Sequence, residues 1–264
     1  DAVADLHDVL RTKVLRFFFK LWGIRVAVID KGRKEKQELT SRRAKVLRPL
    51  RSSFERYGEV FVSLGVSFVP NFVSLYDEGV GDEGLYSELT PPKSSGERWI
   101  GVAPFAKHKG KIYPLDRMEK VVSKLSEESR VKIFLFGSGD REREILSLWR
   151  ERYPGVISLA DKRYGFAVEL SLMSRLDVMI SMDSANMHLA SLVEVPVVSV
   201  WGATHPYCGF LGWRQSDSGV VELPLDCRPC SVFGNKPCYR KDYACLEIAP
   251  ETIVDRVKSL ETLI

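Results

Sequence analysis

Between Trp99 and Gly202 the chain alternates short apolar runs with amphipathic stretches, and this alternation constrains the fold more than any other feature. WIGVAPF, VKIFLFG, VISLA, DVMISM and VPVVSVWG are almost continuously apolar. Strands of that kind are buried on both faces, as in a parallel sheet covered by helices. Helices are predicted between them over 115–128, 140–152, 166–175 and 184–193, and a last one over 250–263 begins at Pro250. Five buried strands joined by crossover helices make a doubly wound α/β domain of the Rossmann kind.

The region before it shows a shorter version of the same pattern. AVADLH reads as a strand, VLRTKVLRFFFKLWG as a helix stopping at Gly23, and RVAVID as a second strand. KGRKEK reads as a basic loop, followed by a helix over 41–57 that Gly58 ends. Two strands and two helices do not make a free-standing domain, so an earlier part of the native protein is expected to be missing. Residues 77–98 are rich in Gly, Pro, Ser and acids and read as a linker. The expected organisation is a partial N-terminal domain over 1–76, a linker over 77–98 and a C-terminal domain over 99–264.

Composition excludes several classes. At 45% hydrophobic and 28% charged residues, the chain has ample material for a core. No apolar stretch is long enough to span a bilayer; the nearest, Phe17 to Trp22, is broken by Lys20. The net charge of +4 is concentrated near the start, at Arg11, Lys13, Arg16, Lys20, Arg25, Lys31, Arg33, Lys34, Lys36, Arg42, Arg43, Lys45, Arg48 and Arg51. Such a face suits nucleic acid, an anionic membrane surface or a phosphorylated substrate; the plain alternative is a solvated helix face. No nucleic-acid motif accompanies the charge, so no nucleic-acid partner is expected.

In open α/β sheets ligands sit at the carboxyl ends of the strands, and three such ends are unusual here. APFAKHKGKIYP places Lys107, Lys109 and Lys111 before a helix, which suits a diphosphate or equally a solvated basic loop. FGSGD holds Gly137 and Gly139, which allow close backbone approach to a ligand, though many strand-to-helix turns look alike. SMDSANMHLA sets Asp183 and Ser184 at a helix start. The N–H groups of Ser184, Ala185 and Asn186 would face an anion there, and His188 follows one turn on. Taken singly, Asp183 reads as well as a plain N-cap and His188 as a structural imidazole. Together the three ends converge on one phosphate-binding rim.

The order GVAPFA, KIYP, FGSGD, MDSANMHLASL, VPVVSVWGATHP and CRPC resembles the C-terminal domain of glycosyltransferase family 9, the lipopolysaccharide heptosyltransferases. The match spans about 100–250, and DLHDVLRTK resembles the later part of the family's N-terminal domain. The resemblance implies a GT-B fold of two Rossmann-like domains. It implies an inverting, metal-independent transfer of heptose from a nucleotide sugar, typically ADP-heptose, to a lipid-linked lipopolysaccharide core acceptor. It also implies a cytoplasmic enzyme, peripheral at the inner face of the inner membrane. On it, Lys111 matches a lysine that contacts the donor phosphate, Asp183 and Ser184 match an Asp-Thr pair, His188 matches the following histidine, and Thr204 with Pro206 lines the same rim. Ala185 stands where glycine is usual and narrows the approach to the diphosphate, and Tyr113 stands where tryptophan is usual. The family's catalytic base is an aspartate in an early Gly-Asp turn, expected upstream of Asp1. Transfer of another sugar, or a non-catalytic nucleotide-sugar-binding module, are the alternatives.

Cys227, Cys230, Cys238 and Cys245 have the spacing C-x2-C-x7-C-x6-C. Four thiolates suit a structural zinc ion, with no open position for substrate. Reduced thiols or a disulfide pair account for them equally. No cofactor is expected for catalysis.

Overall fold

The computed structural model describes residues 1–67 and 69–261. The chain forms two compact units, Asp1–Phe72 with Pro206–Leu211, and Val73–His205 with Gly212–Ile264.

The first unit is built from β1 (Ala2–Asp5), α1 (Leu10–Leu21), β2 (Arg25–Val28), α2 (Arg33–Leu39) and α3 (Ser53–Ser63). β1 and β2 pair in parallel, Ala2 opposite Arg25 and Asp5 opposite Val28. Asp5 organises the turn that follows: its Oδ1 accepts from the N–H groups of His7 and Asp8 at 2.9 and 2.8 Å. Arg16 ties the helix back, 3.2 Å from Asp5 and 3.1 Å from Asp8. α1 buries none of its residues, and Phe17, Phe18, Leu21 and Trp22 are exposed.

Two expectations for this unit are corrected. The segment expected as a basic loop, 31–36, turns at Gly32 and enters α2. RKEKQEL consists of good helix formers, Leu39 is fully buried, and Glu35 accepts from the buried Arg56 at 2.7 Å. The helix expected over 41–57 starts only at Ser53 and runs through Gly58 to Ser63. Pro49 interrupts the earlier segment, and Ser52 with Glu55 forms a reciprocal capping box at the true start. Gly58 costs about 1 kcal/mol relative to alanine in a helix, and burial of Val60 and Arg56 beside it offsets that.

The second unit contains β3 (Arg98–Ala103), α4 (Leu115–Ser126), β4 (Val131–Leu135), α5 (Asp140–Arg152), β5 (Val156–Ser158), α6 (Phe166–Met173), β6 (Val178–Met182), α7 (Ala185–Leu192), β7 (Val197–Trp201), β8 (Val220–Glu222) and α8 (Pro250–Glu261). The strands lie in the order β5-β4-β3-β6-β7-β8 and every pair is parallel. This is the doubly wound order in which the chain reverses direction across the sheet between its first and fourth strands, here β3 and β6. Every residue of β6 and β7 is buried, as the continuous apolar runs require. Ile100, Val102, Leu135, Ile180, Val198 and Val200 are essentially inaccessible and pack with Val121, Leu125, Ile253 and Val257 of the covering helices.

The sheet has six strands where the sequence led us to expect five. β8 is three residues long between Gly219 and Pro224, too short to show a pattern, and joins through Ser199 opposite Val220. The last helix was expected over 250–263; residues 262 and 263 lie outside the described residues. Residues 77–98, expected as a linker, carry the buried Tyr86 and Thr90. The Gly81 N–H donates to Ser174 at 2.8 Å, and Lys93 pairs with Asp177 at 2.7 Å.

Candidate functional site

The sheet reverses between β3 and β6, and in open α/β sheets the carboxyl ends of the strands at such a reversal are where ligands bind. The loop after β3 runs to a single turn of 3-10 helix, Lys109–Lys111. The hydrocarbon stem of Lys111 lies on Gly234; a Cβ there would sit 2.7 Å from Lys111 Cγ. The stem is therefore confined, and the ammonium is delivered 2.8 Å from Oδ2 of Asp183. Both side chains are shielded, at 15% and 5% exposure, so the pair is screened far less than a surface ion pair.

Asp183 follows β6 directly. The same Oδ2 is buried and accepts no well-aligned hydrogen bond, although Lys111 is at contact distance. Ser184 takes an extended conformation as N-cap of α7, but its hydroxyl makes no capping bond and lies 3.3 Å from that of Ser181. The first turn of α7 carries no acidic residue, whereas those of α4, α5, α6 and α8 each carry at least one. The helix start thus presents N–H groups and a positive dipole end without a side-chain acceptor. Ala185 is exposed there. His188 sits one turn further along. Burial pushes its pKa down, Asp183 opposes that and Lys111 adds to it, so the imidazole is held neutral near pH 7.

The structure therefore brings Lys111, Asp183, Ser184, Ala185 and His188 to one place. Thr204, past the end of β7, is fully buried, and its hydroxyl has no hydrogen-bond partner among the described residues. Gly137 and Gly139 follow β4, the neighbour of β3 on the other side. A side chain at Gly137 would meet Leu146 at 2.9 Å and Glu142 at 3.1 Å, so packing accounts for that glycine. Gly139 has φ of 85°, a conformation that favours glycine. The Ser138 N–H in this turn already donates to Glu142 at 2.8 Å. Lys107 and Lys109 are exposed, the latter over the Tyr243 ring at 5.1 Å.

Among the described residues no disulfide joins the four clustered cysteines. Burial raises Cys245 to about 11, with Cys230, Cys227 and Cys238 close enough to add to the shift. Among the described residues no group of three or more His, Cys, Asp or Glu side chains is arranged to hold a metal ion. A zinc ion would have to draw these thiols together from where they stand.

Sequence reasoning read Arg228, between the first two cysteines, only as suiting a turn there with Pro229. It is 3% exposed and donates to the carbonyls of Gly202, Leu223, Trp201 and Thr204 at 2.5, 2.7, 3.2 and 2.9 Å. It also pairs with Glu222 at 2.9 Å, and Glu222 lies 3.2 Å from His205. Arg228 and His205 together hold the Glu222 carboxyl below its usual range against the opposing effect of burial. The only sequence signal was an arginine inside a cysteine pair, which drew attention to the thiols.

The sequence pattern of glycosyltransferase family 9 (heptosyltransferase) matches residues 79–238. Lipooligosaccharide heptosyltransferase 2 of Campylobacter jejuni, serotype O:6, is 25% identical over 172 residues, 64% of this chain and 53% of that protein. The chain thus spans about half the length of the curated relatives it matches. The structure of a family 9 glycosyltransferase from Veillonella parvula superposes with a TM-score of 0.70 at 17% identity, covering 100% of this chain and 74% of that one. E. coli heptosyltransferase WaaC with ADP gives 0.62 at 17% identity, covering 98% and 72%. At such identity the likeness speaks to the fold, which is α/β of the GT-B type.

Proposed function

Because the chain belongs to glycosyltransferase family 9, we propose that it forms the donor side of an enzyme that moves heptose from a nucleotide sugar, ADP-heptose, onto a lipopolysaccharide core acceptor. The observation that carries this reading is the shielded Lys111 ammonium beside the uncapped start of α7, at the point where the sheet reverses. Together they form a site for a diphosphate.

In an inverting transfer the acceptor hydroxyl attacks the anomeric carbon as the nucleoside diphosphate departs. Charge gathers on the departing phosphate. Lys111 and the N–H groups at the start of α7 stabilise that charge, the task a metal ion performs elsewhere. Asp183 holds Lys111 in place, and the neutral His188 offers one N–H donor to a phosphate or sugar oxygen. Ser184, Ala185 and Thr204 complete the donor rim, and the packed turn of Gly137 and Gly139 flanks it. The cysteine segment is structural on this reading. Zinc at about one equivalent per chain, in protein purified without added metal, would assign the thiols to an ion.

The first unit is the acceptor side. Its basic residues and the exposed Phe17, Phe18, Leu21 and Trp22 fit a lipid-linked acceptor at an anionic membrane surface. No described helix is long and apolar enough to cross a membrane. Co-sedimentation with vesicles should require anionic lipid and fall with salt.

Calorimetry with ADP, UDP, GDP and AMP tests the donor site. ADP should bind, and AMP, which lacks the second phosphate, should bind at least tenfold more weakly. Preference for UDP or GDP would redirect the reading to another sugar donor. Equal binding of ADP and AMP would remove the diphosphate site.

A further inference from the structure

We propose that Arg228 is a positioning residue that sets the donor-binding lysine by organising the turn after β7; this rests on the donor-site reading above. The turn Trp201–Thr204 points three carbonyls, those of Trp201, Gly202 and Thr204, at one guanidinium. Carbonyl dipoles aimed at a common buried point repel one another, so this turn keeps its shape only with a cation at the focus. The guanidinium is itself fixed from behind by the Leu223 carbonyl and by Glu222. His205, on the far oxygen of Glu222, closes the network.

The turn is also the wall against which the Lys111 loop is built. The Ala203 N–H donates to the Gly110 carbonyl at 2.8 Å, one residue before Lys111. Space there is tight: a Cβ on Gly110 would come 2.9 Å from that of Ala203, and one on Gly202 would come 2.4 Å from the Gly110 carbonyl. On its other side the Ala203 carbonyl accepts from the N–H groups of Cys230 and Ser231, the residues that follow Arg228 and Pro229. That strand of chain leads to Gly234, on which the Lys111 stem lies. Arg228 thus controls Lys111 from two directions, through Ala203 to Gly110 and through its own segment to Gly234. Thr204, whose buried hydroxyl has no partner among the described residues, is held by the same guanidinium through its carbonyl.

A flat fork with five N–H donors spans these carbonyls, and a lysine ammonium does not. The test is ADP affinity, measured well below the melting temperature, for the parent, Arg228→Lys, Lys111→Ala and the double variant. Arg228→Lys should weaken ADP binding about tenfold in the parent and less than about twofold once Lys111 is alanine, since interacting positions are not additive. A residue that only stabilises the fold would lower the melting temperature and leave the affinity of the folded protein unchanged. If Arg228→Lys does not fold, Glu222→Gln loosens the same network more gently and should weaken ADP about threefold with the same dependence on Lys111. ADP binding equal to the parent in whichever variant folds, or a loss that persists without Lys111, overturns the proposal while leaving the donor site standing. A parent that binds none of ADP, UDP or GDP overturns both.

Discussion

Replacing Lys111 with alanine separates what that lysine does for a ligand from what it does for the fold. For the ligand, it removes one charge-assisted contact to phosphate, worth about 1.5–3 kcal/mol, or roughly 10- to 150-fold in ADP affinity. For the fold, it leaves Asp183, at 4% exposure, without its cation. Breaking a buried pair from one side costs about 3–5 kcal/mol. Lys111 retains 15% exposure, so water reaches the vacated site and the lower figure applies. About 3 kcal/mol in a unit of this size corresponds to a fall of roughly 6–12 °C in melting temperature. Replacing Asp183 with asparagine in the same chain removes the stranded charge. The Lys111→Ala/Asp183→Asn variant should therefore recover most of the melting temperature and none of the ADP affinity. Differential scanning calorimetry and isothermal titration, run on the same preparations, read the two effects independently. Parental ADP affinity in folded Lys111→Ala would refute the assignment of this lysine to the diphosphate. An unchanged melting temperature would refute the claim that the pair is shielded.

Three further outcomes are expected. Burial depresses the folded-state pKa of His188 below its ordinary value of 6.5, so below about that pH the unfolded chain binds a proton that the folded chain refuses. Stability should then decline as pH falls through this window and level off below the folded pKa, and His188→Gln should flatten the decline in melting temperature between pH 8 and 5. Cys245, with its thiol raised to about 11, should be the slowest of the four clustered cysteines to react with a disulfide reagent at pH 8, by peptide mapping of native protein; rapid labelling there would contradict its burial. Ser52→Ala removes the cap of α3 and should cost about 1 kcal/mol, read as faster amide exchange in Ser53–Tyr57; unchanged exchange would show that tertiary contacts alone start this helix.

The second unit was largely legible because each strand is buried on both faces. Burial of that kind writes itself into the sequence as an uninterrupted apolar run, and β6 and β7 are the clearest cases. The first unit was harder. α2 carries one buried residue, Leu39, among charged ones, so it shows no periodicity to read. The start of α3 depends on a hydrogen-bonded exchange between Ser52 and Glu55, which outweighs the apolar residues upstream that suggested an earlier start. At the site, Lys111, Asp183 and His188 were visible because charged or titratable residues at strand ends are conspicuous. Arg228 was not, because four of its partners are main-chain carbonyls, which every residue possesses and no pattern marks.

The two turns flanking β3 differ in how their helix starts are answered. Beyond β4, α5 opens with Asp140 and Glu142, and Glu142 has already taken the Ser138 N–H for itself. Beyond β6, α7 opens with no acid at all. One turn therefore carries its own built-in counter-ion while the other leaves its dipole unanswered. An anion reaching this edge of the sheet meets a main-chain donor already engaged on one flank and helix-start donors without an acidic side chain on the other. The edge therefore offers an anion one seat rather than two before any side chain closes on it.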